Sequence, residues 1–154
     1  IRGQLEFFEK IANRYGAQVA HVKPHGALYN VAVKDQAVAQ TIAEAIHGWR
    51  PGALVMGLKG SSMLDAFRDA GLVPLSEAFA DRAYEPDGTL RSRTLPGALI
   101  HDPGEAGAQA LRLAEQGAAT ICIHSDTSGS ARIAAAVRHV LEAAGWQVRA
   151  FRLD

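Results

Sequence analysis

Residues 120–145 read TICIHSDTSGSARIAAAVRHVLEAAG. TICIH is a short run rich in β-branched residues, the pattern of a buried strand, and SGSARIAAAVRHVLEAAG reads as a helix. His124, Ser125, Asp126 and Thr127 fall at the junction, where a strand hands over to a helix. Whether this strand–helix unit recurs decides the fold.

Outward from it, the alternation holds. WQVRAF (146–151) reads as a closing strand. Upstream, Asp102-Pro103-Gly104-Glu105 has the form of a capping box with proline at the first helical position, opening the helix EAGAQALRLAEQG. LVPLSEAF (72–79) is a strand weakened by Pro74, and Gly60-Ser61-Ser62 opens the helix MLDAFRDAG. ALVMGL (53–58) is another strand. KDQAVAQTIAEAIHGW (34–49) is helical, with Val38, Ile42, Ala45 and Ile46 on one stripe and Pro51-Gly52 after it. AQVAHV (17–22) reads as a buried strand. QLEFFEKIANRYG (4–16) is an amphipathic helix, with Leu5, Phe8, Ile11, Ala12 and Tyr15 at helical spacing. In the polar passage 80–97, Pro86-Asp87-Gly88 marks a turn. Alternating strands and helices imply an α/β fold with a parallel sheet, as a barrel or an open sheet, with the chemistry at the carboxyl ends of the strands.

The 154 residues, 48% hydrophobic and 21% charged, suit a single domain over 1–154 with a real core. Sixteen basic residues balance sixteen acidic ones, so no net field draws in nucleic acid or an anionic membrane. No apolar run is long enough to span a bilayer. The lone cysteine, Cys122, excludes an internal disulfide and fits a reducing compartment, so a cytoplasmic location is expected. A helix that starts at Ile1 with no capping residue suggests that an N-terminal portion is missing.

Polar residues gather where strands end. In HVKPHGALYN (21–30), Lys23, His25, Tyr29 and Asn30 follow a strand, Pro24 fixes the bend, and Gly26 permits close approach. GLKGSS (57–62) offers backbone N–H groups to an anion but lacks the order of a nucleotide loop. Glu77, Asp81 and Arg82 belong to the next strand end, and His124, Asp126 and Thr127 to the one after. His124 is a candidate general base whose basicity Asp126 or His25 would set. Metal-ligand spacing is absent, so no metal ligands are assigned. One shared cleft for the three clusters is expected.

VKPHGALYN, EAFADRAYEPDGTLRSR, PGALIHDP and TICIHSDT, in that order, resemble the LamB/YcsF family. The resemblance implies a (β/α) barrel of the glycoside hydrolase/deacetylase type, present here as an incomplete C-terminal portion. It also implies ATP-dependent opening of 5-oxoproline (pyroglutamate) to glutamate, with ATP as co-substrate, a divalent metal left open, and 5-oxoprolinase subunits B and C as partners. On that basis His25, Asp81 and His124 are the expected catalytic residues. Lys23, Tyr29, Asn30, Arg82, Asp126 and Thr127 are expected to bind substrate. A non-catalytic binding barrel and a metal-dependent deacetylase-like hydrolase are the competing readings.

Three departures stand out. The family's opening DLNCDLGE and SANIACGFHAGD-type segments are not in this sequence. The passage from Gln116 to TICIH is shorter than usual. The usual HGDTPGA is HSDTSGS, with His124, Asp126, Thr127 and Gly129 kept. Replacing His25 by alanine in the full-length protein is expected to abolish ATP-dependent lactam opening, a loss of roughly a hundred- to ten-thousand-fold for a lost general acid–base. Activity per folded molecule, with thermal unfolding on the same preparation, checks this; near-wild-type turnover removes His25 from the mechanism.

Overall fold

The computed structural model describes residues 1–151. Among them the elements run α1 (Arg2–Arg14), α2 (Ala27–Lys34), α3 (Gln36–His47), β1 (Leu54–Leu58), α4 (Ser62–Asp69), β2 (Val73–Phe79), α5 (Pro103–Glu115), β3 (Thr120–Cys122) and α6 (Ser130–Ala143). The strands lie in the order β1-β2-β3, and β2 and β3 pair in parallel. The chain divides into two compact units, Ile1–Ser76 with Phe151, and Glu77–Ala150.

In the first unit, β1 is buried at all five positions. It is flanked by Val22, which gives its N–H to Leu54 at 2.8 Å and accepts from Met56 at 2.9 Å, and by Val73, which donates to Ala53 at 3.0 Å. Helix α3 buries Ala39, Ile42, Ala43 and Ile46. It starts at Asp35, whose carboxylate accepts from the N–H groups of Ala37 and Val38 at 2.9 and 3.1 Å, a side-chain cap worth about 1 kcal/mol. Helix α1 buries none of its residues. A polar clamp holds it instead: Glu9 accepts from Arg50 at 2.6 Å and from the Trp49 indole at 3.1 Å. The Arg50 guanidinium also stacks on the Trp49 ring, 4.3 Å from its centroid.

Here the sequence expectations need correction. AQVAHV is not a strand; only Val22 bridges β1. The Val19 carbonyl accepts from the Arg50 side chain at 2.7 Å, outside any ladder, and Pro24 has no N–H to continue one. The helix expected over 34–49 is present as α3, which starts only after its cap Asp35; a separate helix not expected from sequence, α2, precedes it. Tyr29 and Asn30, expected in an irregular bend, sit in the first turns of α2, whose cap Gly26 has φ +62°.

In the second unit, Glu77, Ala78 and Phe79 pair with Thr120, Ile121 and Cys122. Behind them α5 and α6 share a core of Ala80, Ile100, Ala106, Ala110, Ala114, Ile133, Val137 and Leu141. The alanine-rich face lets the helices approach so closely that a Cβ on Gly107 would meet Val140 at 3.1 Å. The capping residue Asp102 accepts from the N–H of Glu105 at 2.8 Å, with Pro103 in the first turn as expected. The short passage after Gln116 is a closed turn: Gly117, at φ +91°, donates to Ala114, and Ala118 donates to Leu113. The turn at Pro86-Asp87-Gly88 forms too, with Asp87 accepting from the backbone and hydroxyl of Thr89. WQVRAF, by contrast, forms no strand; Trp146 and Val148 face solvent.

Gly57 lies in β1, at the head of the stretch read from sequence as an anion loop. A Cβ there would meet Leu64 at 3.0 Å, Met63 at 3.1 Å and Phe67 at 3.2 Å, all on α4. Gly57→Ala therefore overpacks the first unit and should lower stability by about 1–3 kcal/mol. Denaturant unfolding of the two proteins measures it; an unchanged midpoint contradicts the close packing of β1 on α4.

Candidate functional site

Where β2 ends, Asp81 follows two residues later and is wholly buried. A carboxylate in that position needs several donors to hold its charge. It has them. Thr127 Oγ1 donates to Oδ2 at 2.6 Å, and the His124 backbone N–H donates to the same oxygen at 2.9 Å. The His124 ring nitrogen Nδ1 lies 3.0 Å from Oδ1 and 3.1 Å from Oδ2. Burial pushes the Asp81 carboxyl up; the bonds from Thr127 and from the ring and backbone of His124 outweigh it and hold the group below the ordinary aspartate range. A carboxylate offers only acceptors, so Nδ1 carries the hydrogen, and in the neutral ring Nε2 is the nitrogen with the lone pair. Phe79 stacks on the imidazole, ring centroids 5.3 Å apart and planes 11° from parallel.

The sheet makes this meeting possible. Phe79 pairs with Cys122, and the Ala80 N–H reaches the Cys122 carbonyl at 3.0 Å. Asp81 and His124 then leave neighbouring parallel strands side by side. The turn from His124 to α6 needs one left-handed residue, Gly129 at φ +77°. No non-glycine residue among those described has positive φ, so the serines at 125, 128 and 130 occupy ordinary backbone. The substitutions in HSDTSGS thus leave the turn intact.

Around the dyad lie further charges. Arg93 donates to the exposed Asp126 carboxylate at 2.7 Å, and that bond holds the Asp126 carboxyl below its ordinary value. Arg82 is buried and gives an Nη2 hydrogen to the Arg91 carbonyl at 2.7 Å. Burial, then the nearby Arg93 guanidinium, lower its pKa, while Asp81, Tyr84 and Asp126 oppose them. Glu77 is buried within β2 itself.

Of the expected residues, Asp81, His124 and Thr127 form one hydrogen-bonded group. The partner of His124 is Asp81, not Asp126 or His25, the two expected from sequence; Asp126 is engaged by Arg93. Lys23, His25, Tyr29 and Asn30 belong to the first unit. There Lys23 lies 5.9 Å from the centroid of the buried Tyr29 ring, and His25 and Asn30 are exposed. Arg93 is the residue that sequence reasoning missed. Its signal lay in the RSR that ends EAFADRAYEPDGTLRSR. Among the described residues, no three His, Cys, Asp or Glu side chains gather as metal ligands would. Likewise, no described helix is long and apolar enough to cross a membrane.

The Thr127 hydroxyl makes the shortest bond to Asp81, and Thr127→Val removes it with little change of shape. A hydrogen bond to a charged group contributes roughly 1.5–3 kcal/mol, and a loss of that size is expected. Asp81 is depressed in the fold, so its contribution is present above about pH 4, the unfolded value, and is lost as pH falls through the folded value. Without the hydroxyl the folded value rises, so acid unfolding should begin at higher pH. Acid titrations of both proteins followed by circular dichroism check this; coincident curves exclude it.

The LamB/YcsF family model matches residues 1–153. The chain is 46% identical to the 5-oxoprolinase A subunit of Chloroflexus aggregans, over 97% of this chain and 64% of that protein. It is 43% identical to the 5-oxoprolinase A subunit of Mycobacterium avium, over 96% and 64%. Among solved structures, the lactam utilization protein of Thermus thermophilus superposes with a TM-score of 0.81 at 39% identity, over 92% of this chain and 62% of that one. The chain thus spans a little under two thirds of the length of these relatives. It belongs to the LamB/YcsF family.

Proposed function

We propose that this chain supplies the proton-transfer machinery of a 5-oxoprolinase A subunit, opening the lactam of 5-oxoproline to glutamate with ATP as co-substrate, beside partner subunits B and C. Its relatives' names support the lactam class. The observation that carries the reading is the buried Asp81 holding Nδ1 of His124, which leaves Nε2 free to act as a base.

A five-membered lactam is a stable amide, so its carbonyl must be activated before water can add. Transfer of the γ-phosphoryl group of ATP to the lactam oxygen does this and releases ADP. His124 Nε2 takes a proton from water as the water oxygen bonds to the ring carbon. The C–N bond then breaks, and the imidazolium returns the proton to the departing nitrogen, which becomes the amine. A second water hydrolyses the remaining acyl phosphate to carboxylate and phosphate. Asp81 stabilises the transient imidazolium, as an orienting carboxylate does. Arg93 and Arg82 provide positive charge for the substrate carboxylate, Arg93 exchanging its bond to Asp126 for one to substrate. Parts for Lys23, His25, Tyr29 and Asn30 in the same reaction rest on the motif VKPHGALYN. So does the complete barrel, which requires more strands than β1 to β3.

His124→Asn tests the assignment, because the amide can still donate to Asp81 while Nε2 is lost. In the full-length subunit reconstituted with its partners, kcat should fall by roughly 10²–10⁴, with KM and melting temperature close to wild type. Turnover within a few-fold of wild type sinks the general-base role. Metal-dependent deacylation without ATP would replace the lactamase reading altogether.

A further inference from the structure

Asp81 sits where the chain leaves the β2–β3 ladder yet stays buried, from Phe79 to Arg82. Buried carbonyls at such a place need donors from beyond the sheet. A single side chain reaches three of them. Gln109, on α5 and itself buried, directs Nε2 to the carbonyls of Phe79 at 2.9 Å, Ala80 at 3.1 Å and Arg82 at 2.8 Å. Two amide hydrogens are thus shared among three acceptors. Its Oε1 accepts from Arg112 at 3.3 Å, which fixes which end of the amide faces the loop. The intervening Asp81 carbonyl accepts from the Ile100 N–H at 3.0 Å. The Phe79 N–H donates to the Tyr84 hydroxyl at 2.7 Å. Four consecutive carbonyls are thereby fixed, three of them through one amide.

We infer that Gln109 is a positioning residue for the Asp81–His124 pair. By holding the carbonyls on both sides of Asp81, it sets where that carboxylate meets Nδ1 of His124. The inference rests on the general-base reading for its effect on turnover, and on the loop geometry alone for its effect on His124. The two carbonyls before Asp81 and the one after it bracket the Cα from which the carboxylate projects. Without the amide they would have to shift toward other donors or toward water, and either movement rotates Asp81. Glutamine suits the place because its neutral amide donates without introducing charge, whereas a glutamate would present acceptors to carbonyls. Displacements of about 1 Å in a catalytic group cost on the order of a hundredfold in rate.

Gln109→Leu and Gln109→Glu, made in the full-length subunit assembled with its partner subunits, test this. For folded protein, kcat per folded molecule should fall about ten- to a hundredfold, with KM close to wild type. Independently of substrate, the low-field proton NMR resonance of the His124 Nδ1–H, assigned by its absence from His124→Asn, should vanish or move upfield in both variants. A role confined to stability would lower the melting temperature but leave kcat per folded molecule and that resonance unchanged, and this result overturns the inference. Failure of both variants to fold also overturns it, assigning Gln109 to the core. If the wild-type complex opens no lactam, the general-base reading fails by itself, and the resonance still decides the role of Gln109.

Discussion

A buried carboxylate held by hydrogen bonds organises the second unit. Asp81 keeps a negative charge at a site closed to water, which only a set of well-aimed donors makes tolerable. Those donors come from two residues of the next strand end, Thr127 and His124, the latter giving both its backbone and its ring. Each is satisfied by the same group, so displacing Asp81 orphans a hydroxyl, an amide and an imidazole together. The cost of such failure explains why so much of the surrounding fold is devoted to holding one loop still.

The supports can be followed from the sheet outward. Parallel pairing brings the ends of β2 and β3 level, with Phe79 opposite Cys122. Phe79 then stacks on His124, so one residue of the strand fixes the ring plane while Asp81 fixes its rotation. The Tyr84 hydroxyl accepts from the Phe79 N–H, and burial of that phenol raises its pKa to about 12, which keeps it neutral. Gln109 reaches the neighbouring carbonyls from α5. Helix α5 is in turn fixed at its start by the Asp102 cap and along its length by close packing on α6.

Much of this was legible in the sequence, for identifiable reasons. Asp102-Pro103-Gly104-Glu105 and Pro86-Asp87-Gly88 act through bonds to their own neighbours, so local chemistry suffices to read them. The junction after TIC drew attention because His124, Asp126 and Thr127 gather at a strand end, and two of the three do meet Asp81 there. AQVAHV and WQVRAF misled because apolar character says a segment could pair, not that a ladder continues beside it. The start of α3 at Asp35 was readable in principle, since aspartate before an apolar periodic run is a cap signal. Arg93 and Gln109 were missed for different reasons. One acts across more than thirty residues of sequence, and the other looks like any polar residue on a helix until the loop carbonyls are seen.

Two aspartates near one histidine invite the same role, and their surroundings separate them. Asp81 is buried, accepts from several donors and has no freedom to exchange partners without leaving them unsatisfied. Asp126 is exposed and meets one guanidinium in contact with water, an arrangement that is weak and readily exchanged. The first holds the His124 imidazole in one orientation. The second meets a single partner at the surface, so its bond to Arg93 can be exchanged at little cost. Burial alone thus separates the carboxylate that is fixed from the one that can change partners.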